Sequence, residues 1–241
     1  MTSQAPARER HYLVLPQLGL AYCRVPKAAN SSVRYLLARR FGFKAPEAEP
    51  NLVPNKDRFW TGQPPGVAHC LTPAEFALLQ AGADRPWCFS IVRNPVSRLY
   101  SAWNNKVLER RPDRPLPARF REMGVTPGMD FAAFVDRVAE TVDDNSNIHI
   151  RSQSSILTLD GRVLPDFVGR VETIVPDWNH IRYEVRVRLG RRIPPLWPRN
   201  VRIRAQPDIA ADLPRPVLAK IIDRYHDDFT RFYPHELRRL A

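Results

Sequence analysis

An α/β fold, with a central parallel sheet flanked by helices, is what this sequence predicts. Two stretches and the chain length carry that expectation. Each stretch runs an apolar, strand-length segment into a tight turn and then into a helix with one apolar face, first over Leu18 to Phe41 and again over Trp87 to Val107. The 241 residues suit one domain spanning 1–241.

In the first stretch, Leu18, Leu20, Tyr22, Cys23 and Val25 form the strand, and Pro26 stops it. Lys27-Ala28-Ala29-Asn30-Ser31-Ser32 makes the turn, and Val33, Leu36, Leu37 and Phe41 make the buried face of the helix. Asn30 or Ser31 is the expected N-cap. Residues 1–11 are polar and expected to be loose, and residues 44–65, rich in Pro and Asn, read as a long surface loop. Val67 to Leu71 is a second short strand. Thr72-Pro73-Ala74-Glu75 is a capping box that starts a helix ending near Gly82. Trp87 to Val92 is the clearest buried strand, and Asn94-Pro95 caps the helix after it, with Val96, Leu99, Tyr100, Trp103 and Val107 as its apolar stripe.

The later chain alternates in the same way. Asp130 caps a helix through Phe131, Phe134, Val135, Val138 and Val142. His149, Arg151 and Gln153 stand at alternate positions, which an extended chain puts on one face. Asp160-Gly161 predicts a hairpin turn between Ile156-Leu157 and Val163-Leu164. Phe167 to Gly169 is a strand, Trp178 to Leu189 a helix stopped at Gly190, and Leu218 to Phe229 one closing helix.

The two turns are where chemistry is expected. A helix N-terminus offers unpaired N–H groups and the positive end of the helix dipole, a suitable seat for phosphate or sulfate. Lys27 stands there as a mobile charge, Ser31 and Ser32 add hydroxyls, and Ala28 and Ala29 leave room for a ligand. The plainer alternative is an ordinary βα turn with a surface lysine. The loop is not a Walker A motif, for it has no glycine and its lysine comes first. That argues against a P-loop kinase. Arg93 and Ser101 suit a second phosphate, and Arg98 suits either that role or a structural ion pair. His69, expected at a strand end before a helix, is a candidate base or simply a satisfied strand histidine.

The net charge of +12 implies an anionic partner, and codon bias is its trivial alternative. No nucleic-acid motif appears and no apolar run spans a membrane, so neither partner is expected. Cys23, Cys70 and Cys88 lack metal-ligand spacing and read as free thiols suited to a reducing compartment, with no metal expected.

The pair Val25-Pro26-Lys27-Ala28-Ala29-Asn30-Ser31-Ser32 and Arg93-Asn94-Pro95-Val96-Ser97-Arg98-Leu99-Tyr100-Ser101 resembles the two nucleotide motifs of the sulfotransferases. The resemblance extends over about residues 20–233, through Asp130 to Val135, Asn147 to Gln153, Asp166 to Glu172 and Tyr225 to Phe229, and is nearest to the Golgi-type carbohydrate enzymes. It implies a P-loop-NTPase-like sheet and transfer of a sulfuryl group from 3′-phosphoadenylyl sulfate to a hydroxyl of a saccharide or glycolipid. It also implies that the two turns serve one ligand. Residues Lys27 to Ser32 would hold the phosphosulfate, Arg93 and Ser101 the 3′-phosphate, and Arg202, in a candidate lid over 193–216, would also contact the nucleotide. Lys27 and His69 would be catalytic, with His149 the alternative base, and His149, Arg151 and Gln153 would meet the acceptor. Ser152 stands where that group has proline. Departures from it, no luminal stem and few cysteines, imply a cytoplasmic, bacterial-type relative rather than a trimmed luminal domain. A relative that binds the donor without catalysis is the other reading.

Overall fold

A computed structural model describes residues 9–109, 115–196 and 209–240. They form two compact units. The first holds residues up to Val92 and the segment resuming at Ile156; the second holds Arg93 to Ser155 and the C-terminal helices.

In the first unit, β1 (Tyr12–Leu15) and β2 (Leu20–Cys23) form a hairpin, β2 leads into α1 (Asn30–Phe41), and α2 (Asp57–Thr61), β3 (His69–Leu71), α3 (Pro73–Gln80) and β4 (Trp87–Val92) follow. In the second come α4 (Pro95–Trp103), a π-helical turn (Asn104–Leu108), α5 (Ala118–Glu122) and α6 (Phe131–Ala139). Helix α7 (Gln153–Leu157) carries the chain back to the first unit for β5 (Thr158–Leu159), β6 (Arg162–Val163), β7 (Phe167–Arg170) and α8 (Ile174–Leu189). Helices α9 (Arg215–Arg224), α10 (His226–Phe232) and α11 (Pro234–Leu240) complete the second unit.

The main sheet has the order β3-β1-β2-β4-β7. Strands β2, β4 and β7 are parallel, and β1 runs antiparallel to both of its neighbours. The expected α/β sheet flanked by helices is therefore present, with one reversed strand in it. β2 and β4 lie side by side, with Cys23 opposite Ser90, so both end at one edge of the sheet. In open α/β sheets that edge is where ligands bind. Tyr22, Phe89 and Trp178 pack ring to ring through the core, tilted and then edge to face, with centroids 5.1 Å and 6.0 Å apart in turn.

Several expectations need correction. The first strand spans Leu20–Cys23 only, because Pro16 to Leu18 forms a 3-10 turn that Gly19 closes at φ 57°. Residues 9–11 are not loose: Arg10 donates to Glu75 and to the Cys70 carbonyl, and His11 is buried. The segment 44–65 is not only a surface loop. It contains α2, whose Phe59 and Trp60 enter the core, and the Trp60 indole donates to the Pro54 carbonyl at 2.6 Å. His69 opens β3 rather than ending it, since a turn donating Val67 N–H to the Pro64 carbonyl delays the strand. Ile156-Leu157 is helical, and the two-residue hairpin joins Thr158–Leu159 to Arg162–Val163, with Asp160 and Gly161 both at positive φ. The closing helix is two helices, broken at Tyr225. Val142 lies beyond the end of α6 and is exposed.

The capping box at Thr72 and Glu75, the Asn94 cap on α4 and the Asp130 cap on α6 are all formed. In the second unit, Tyr100, Trp103 and Phe131 pack ring to ring, and the Trp103 indole donates to the Met129 carbonyl at 2.7 Å. No helix among the described residues is long and apolar enough to cross a membrane.

Truncating Trp60 to Ala removes a fully buried ring and its hydrogen bond. Urea unfolding is expected to show a loss of about 3–5 kcal/mol, whereas a surface loop would leave the transition unmoved.

Candidate functional site

The turn after β2 is built on unusual backbone. Lys27 has φ 70° and Ala29 φ 54°, both in the left-handed region that side chains other than glycine rarely enter. Ala28 between them is fully buried, and its N–H donates to the Val25 carbonyl at 3.3 Å. Changes of hand between successive residues turn their N–H groups toward one side, which is how anion-binding concavities arise. The helix N-cap is Ala29, not Asn30 or Ser31. The left-handed residue starts the helix one position early, so no side-chain oxygen caps it. Lys27 and Ser31 are half-buried, Ser32 is buried, and Asn30 Oδ1 is buried with no hydrogen-bond partner among the described residues.

Both ends of this turn are anchored on one carboxylate. Arg24 Nη2 lies 2.9 Å from Asp57 Oδ2, and Arg34 Nη1 donates to Asp57 Oδ1 at 2.9 Å. Arg34 also donates to the Asn55 and Lys56 carbonyls. Burial lowers the Arg34 pKa, and the Asp57 charge partly restores it. Sequence reasoning missed Asp57, which sits in a stretch read as loop and pairs with residues 33 and 23 positions away.

In the second unit, Asn94 Oδ1 accepts from the N–H groups of Val96 and Ser97. Ser101 is half-buried in α4, and Arg98 is buried and donates to the Arg151 carbonyl at 2.8 Å. Burial lowers its pKa, opposed by Tyr225, Asp228 and Asp143. Arg98 therefore takes the structural role.

His149, Arg151 and Gln153 do not share the face of an extended strand. Ile150 and Arg151 both donate N–H to the Asn147 carbonyl, and the Asn147 side chain accepts from the His149 N–H, so the segment coils into a turn before α7. His149 and Arg151 are half-buried, while Gln153 is fully buried. Its amide is spent on one residue: Oε1 accepts from the Arg93 N–H at 2.9 Å and Nε2 donates to the Arg93 carbonyl at 2.8 Å. Both polar atoms of the fully buried Gln153 side chain are thus engaged with the Arg93 backbone.

Two carboxylates hold that turn. Asp228 accepts from the N–H groups of Gln153 and Ser154 and from the Ser154 hydroxyl. Burial raises its pKa; the Gln153 N–H, the Arg98 charge and Ser154 oppose the rise. Asp143 accepts from Arg224 Nη2 at 2.5 Å and from the backbone and hydroxyl of Ser152. Burial pushes its pKa up, but Arg224 and Ser152 outweigh that and hold it below the usual carboxylate value.

His69 is exposed and lies in register with Val14, whereas Leu71 is the β3 residue level with the end of β2. Arg202 and residues 197–208 of the candidate lid lie outside the described residues. A cavity of ≈ 910 Å³ opens at the far end of α1, among Gln17, Arg40, Phe43, Lys44, Gln63 and Arg191, away from the Lys27 turn. Cys23 and Cys88 are buried free thiols, and Cys70 is a half-buried one.

The family model described as the sulfotransferase family matches residues 10–234. Neither a curated protein nor a solved structure matches the chain.

Two predictions follow from these carboxylates. Asp57→Ala takes the carboxylate from the buried Arg34 and the half-buried Arg24 and is expected to cost about 2–3 kcal/mol in denaturant unfolding, discounted from a fully buried pair because Asp57 is partly exposed. For Asp143, the folded state binds protons less readily than the unfolded one, so its contribution is complete above about pH 4 and is lost as pH falls through the depressed folded value. Asp143→Asn is expected to lower stability at pH 7 and to flatten the acid limb of the pH profile.

Proposed function

Because the chain belongs to the sulfotransferase family, we propose that it transfers a sulfuryl group from 3′-phosphoadenylyl sulfate to a hydroxyl of a saccharide or glycolipid. The observation that carries this reading is the left-handed turn at Lys27 and Ala29 at the head of an uncapped helix. A backbone held open in that way suits an anion better than it suits a plain connection.

In the proposed reaction the acceptor oxygen attacks sulfur in line as the bond from sulfur to the bridging phosphate oxygen breaks. The products are the sulfate ester and 3′-phosphoadenosine 5′-phosphate. Negative charge grows on the leaving phosphate. Lys27 and the N–H groups of Ala29 to Ser32 neutralise it, the Ala28 N–H being donated to the Val25 carbonyl, and their fixed position lowers the reorganisation needed. Arg93 and Ser101 take the 3′-phosphate, with Arg202 a further nucleotide contact. Assigning both turns to the same donor rests on the occurrence of both motifs, in this order, in the sequence.

His69 is the proposed base that removes the acceptor proton, and His149 is the alternative. His149 and Arg151 remain proposed acceptor contacts. The chemistry assigned to these residues needs no metal. The free thiols support a reducing compartment, and so a cytoplasmic location.

Saturating 3′-phosphoadenosine 5′-phosphate is expected to raise the melting temperature by mass action, and labelled sulfate is expected to pass to a member of a glycan and glycolipid panel. Lys27→Ala should lower turnover by about 10²-fold or more with the fold intact. His69→Ala should lower it by roughly 10²–10⁴-fold, and His149→Ala much less. A folded wild-type chain with no ligand-induced shift and no transfer contradicts the proposal.

A further inference from the structure

Gln153 is a buried polar side chain that the proposed chemistry leaves unused, and its geometry is specific. One planar amide closes a two-point clamp on one backbone residue, accepting from the N–H of Arg93 and donating to its carbonyl. Such pairing fixes a peptide in both translation and rotation, because an amide offers one acceptor and one donor at a set separation. The clamp is itself clamped. Asp228, fully buried, holds the N–H groups of Gln153 and Ser154 at 2.8 Å and 2.6 Å. The line of contacts runs from α10 through the first turn of α7 to the residue that precedes the Asn94 cap of α4.

We infer that Gln153 is a positioning residue for the nucleotide's 3′-phosphate: it sets the backbone of Arg93, and with it the direction from which the guanidinium meets that phosphate. Asp228 supports it by fixing where α7 begins. The inference rests on the proposed role of Arg93. A guanidinium makes its strongest contact with phosphate in a bidentate, planar approach, so a small rotation at its Cα is felt at the phosphate. Ordinary core packing would need neither end of the amide to be matched, and an apolar side chain of the same size would serve. Gln153 touches no reacting atom in this account.

The test compares two nucleotides that differ by the 3′-phosphate alone, 3′-phosphoadenosine 5′-phosphate and adenosine 5′-monophosphate, by calorimetric titration of the full chain. The variants are Gln153→Leu, which removes both bonds, and Gln153→Glu, which keeps an acceptor for the Arg93 N–H and loses the donor to its carbonyl. For Gln153→Leu, affinity for the bisphosphate should fall roughly ten- to a hundredfold, with affinity for the monophosphate within about twofold. Gln153→Glu should fall between Gln153→Leu and wild type. In turnover, KM for the donor should rise more than kcat falls.

A parallel loss for both nucleotides assigns Gln153 to general stability and overturns the inference, as does an unchanged preference for the bisphosphate in either variant. If Gln153→Leu does not fold, the Gln153→Glu preference decides alone. Wild-type protein that binds the monophosphate and bisphosphate equally removes the role of Arg93 and the inference with it. A wild-type preference that the variants retain removes only the inference.

Discussion

The turn from Lys27 to Ala29 places two side-chain-bearing residues in left-handed backbone, at about 1–2 kcal/mol each. That strain persists only where the surroundings over-determine the chain. Here they do. Ala28 is sealed in the core, Pro26 is buried ahead of it, and Arg24 and Arg34, on either side, both close on Asp57. The two guanidiniums are tolerated because one carboxylate and two backbone carbonyls answer them. The start of this helix, which carries no side-chain cap, is thus bracketed by ion pairs to a segment more than twenty residues away.

The second unit reaches a similar end by other means. Its cationic candidate, Arg93, is set by hydrogen bonds to its own backbone, and the residue that makes them donates its own backbone N–H to a carboxylate from the C-terminal helices. Asp143 and Arg224 repeat the device one turn away, gripping Ser152 and the end of α9. Among the described residues, Arg34 with Asp57, Arg224 with Asp143, and Asp228 with the Gln153 and Ser154 N–H groups are buried or partly buried charges matched to specific partners. Such networks are rigid when complete and expensive when broken. This is the behaviour expected of a scaffold that must present a few groups at fixed positions.

The parts of the fold governed by nearest neighbours in sequence were legible. Thr72 with Glu75, Asn94 with Pro95, Asp130, Asp160-Gly161 and Gly190 each state a cap, a turn or a stop through their own backbone chemistry, and each is found in that role. What eluded reading depends on partners distant along the chain. Asp57 looks like one more charge in a polar loop until Arg24 and Arg34 reach it. The alternation of His149, Arg151 and Gln153 imitates a strand, but Asn147, Asp143 and the remote Asp228 coil it instead. Tyr225 breaks an apparently continuous helix while its hydroxyl donates to the Ile150 carbonyl at 2.6 Å. The strand at Tyr12 was in principle readable, since Pro16 and Gly19 separate it from the next apolar run. The motif turns themselves were visible, yet the backbone hand that makes the first of them unusual was not.

The central claim is that the Lys27 turn cradles the 5′ end of the donor nucleotide. A crystal structure of the chain with 3′-phosphoadenosine 5′-phosphate tests it most directly. The account predicts the 5′-phosphate within hydrogen-bond distance of N–H groups from Ala29 to Ser32, with the Lys27 ammonium beside it. A nucleotide bound with its 5′-phosphate elsewhere, and the turn unengaged, would contradict the claim.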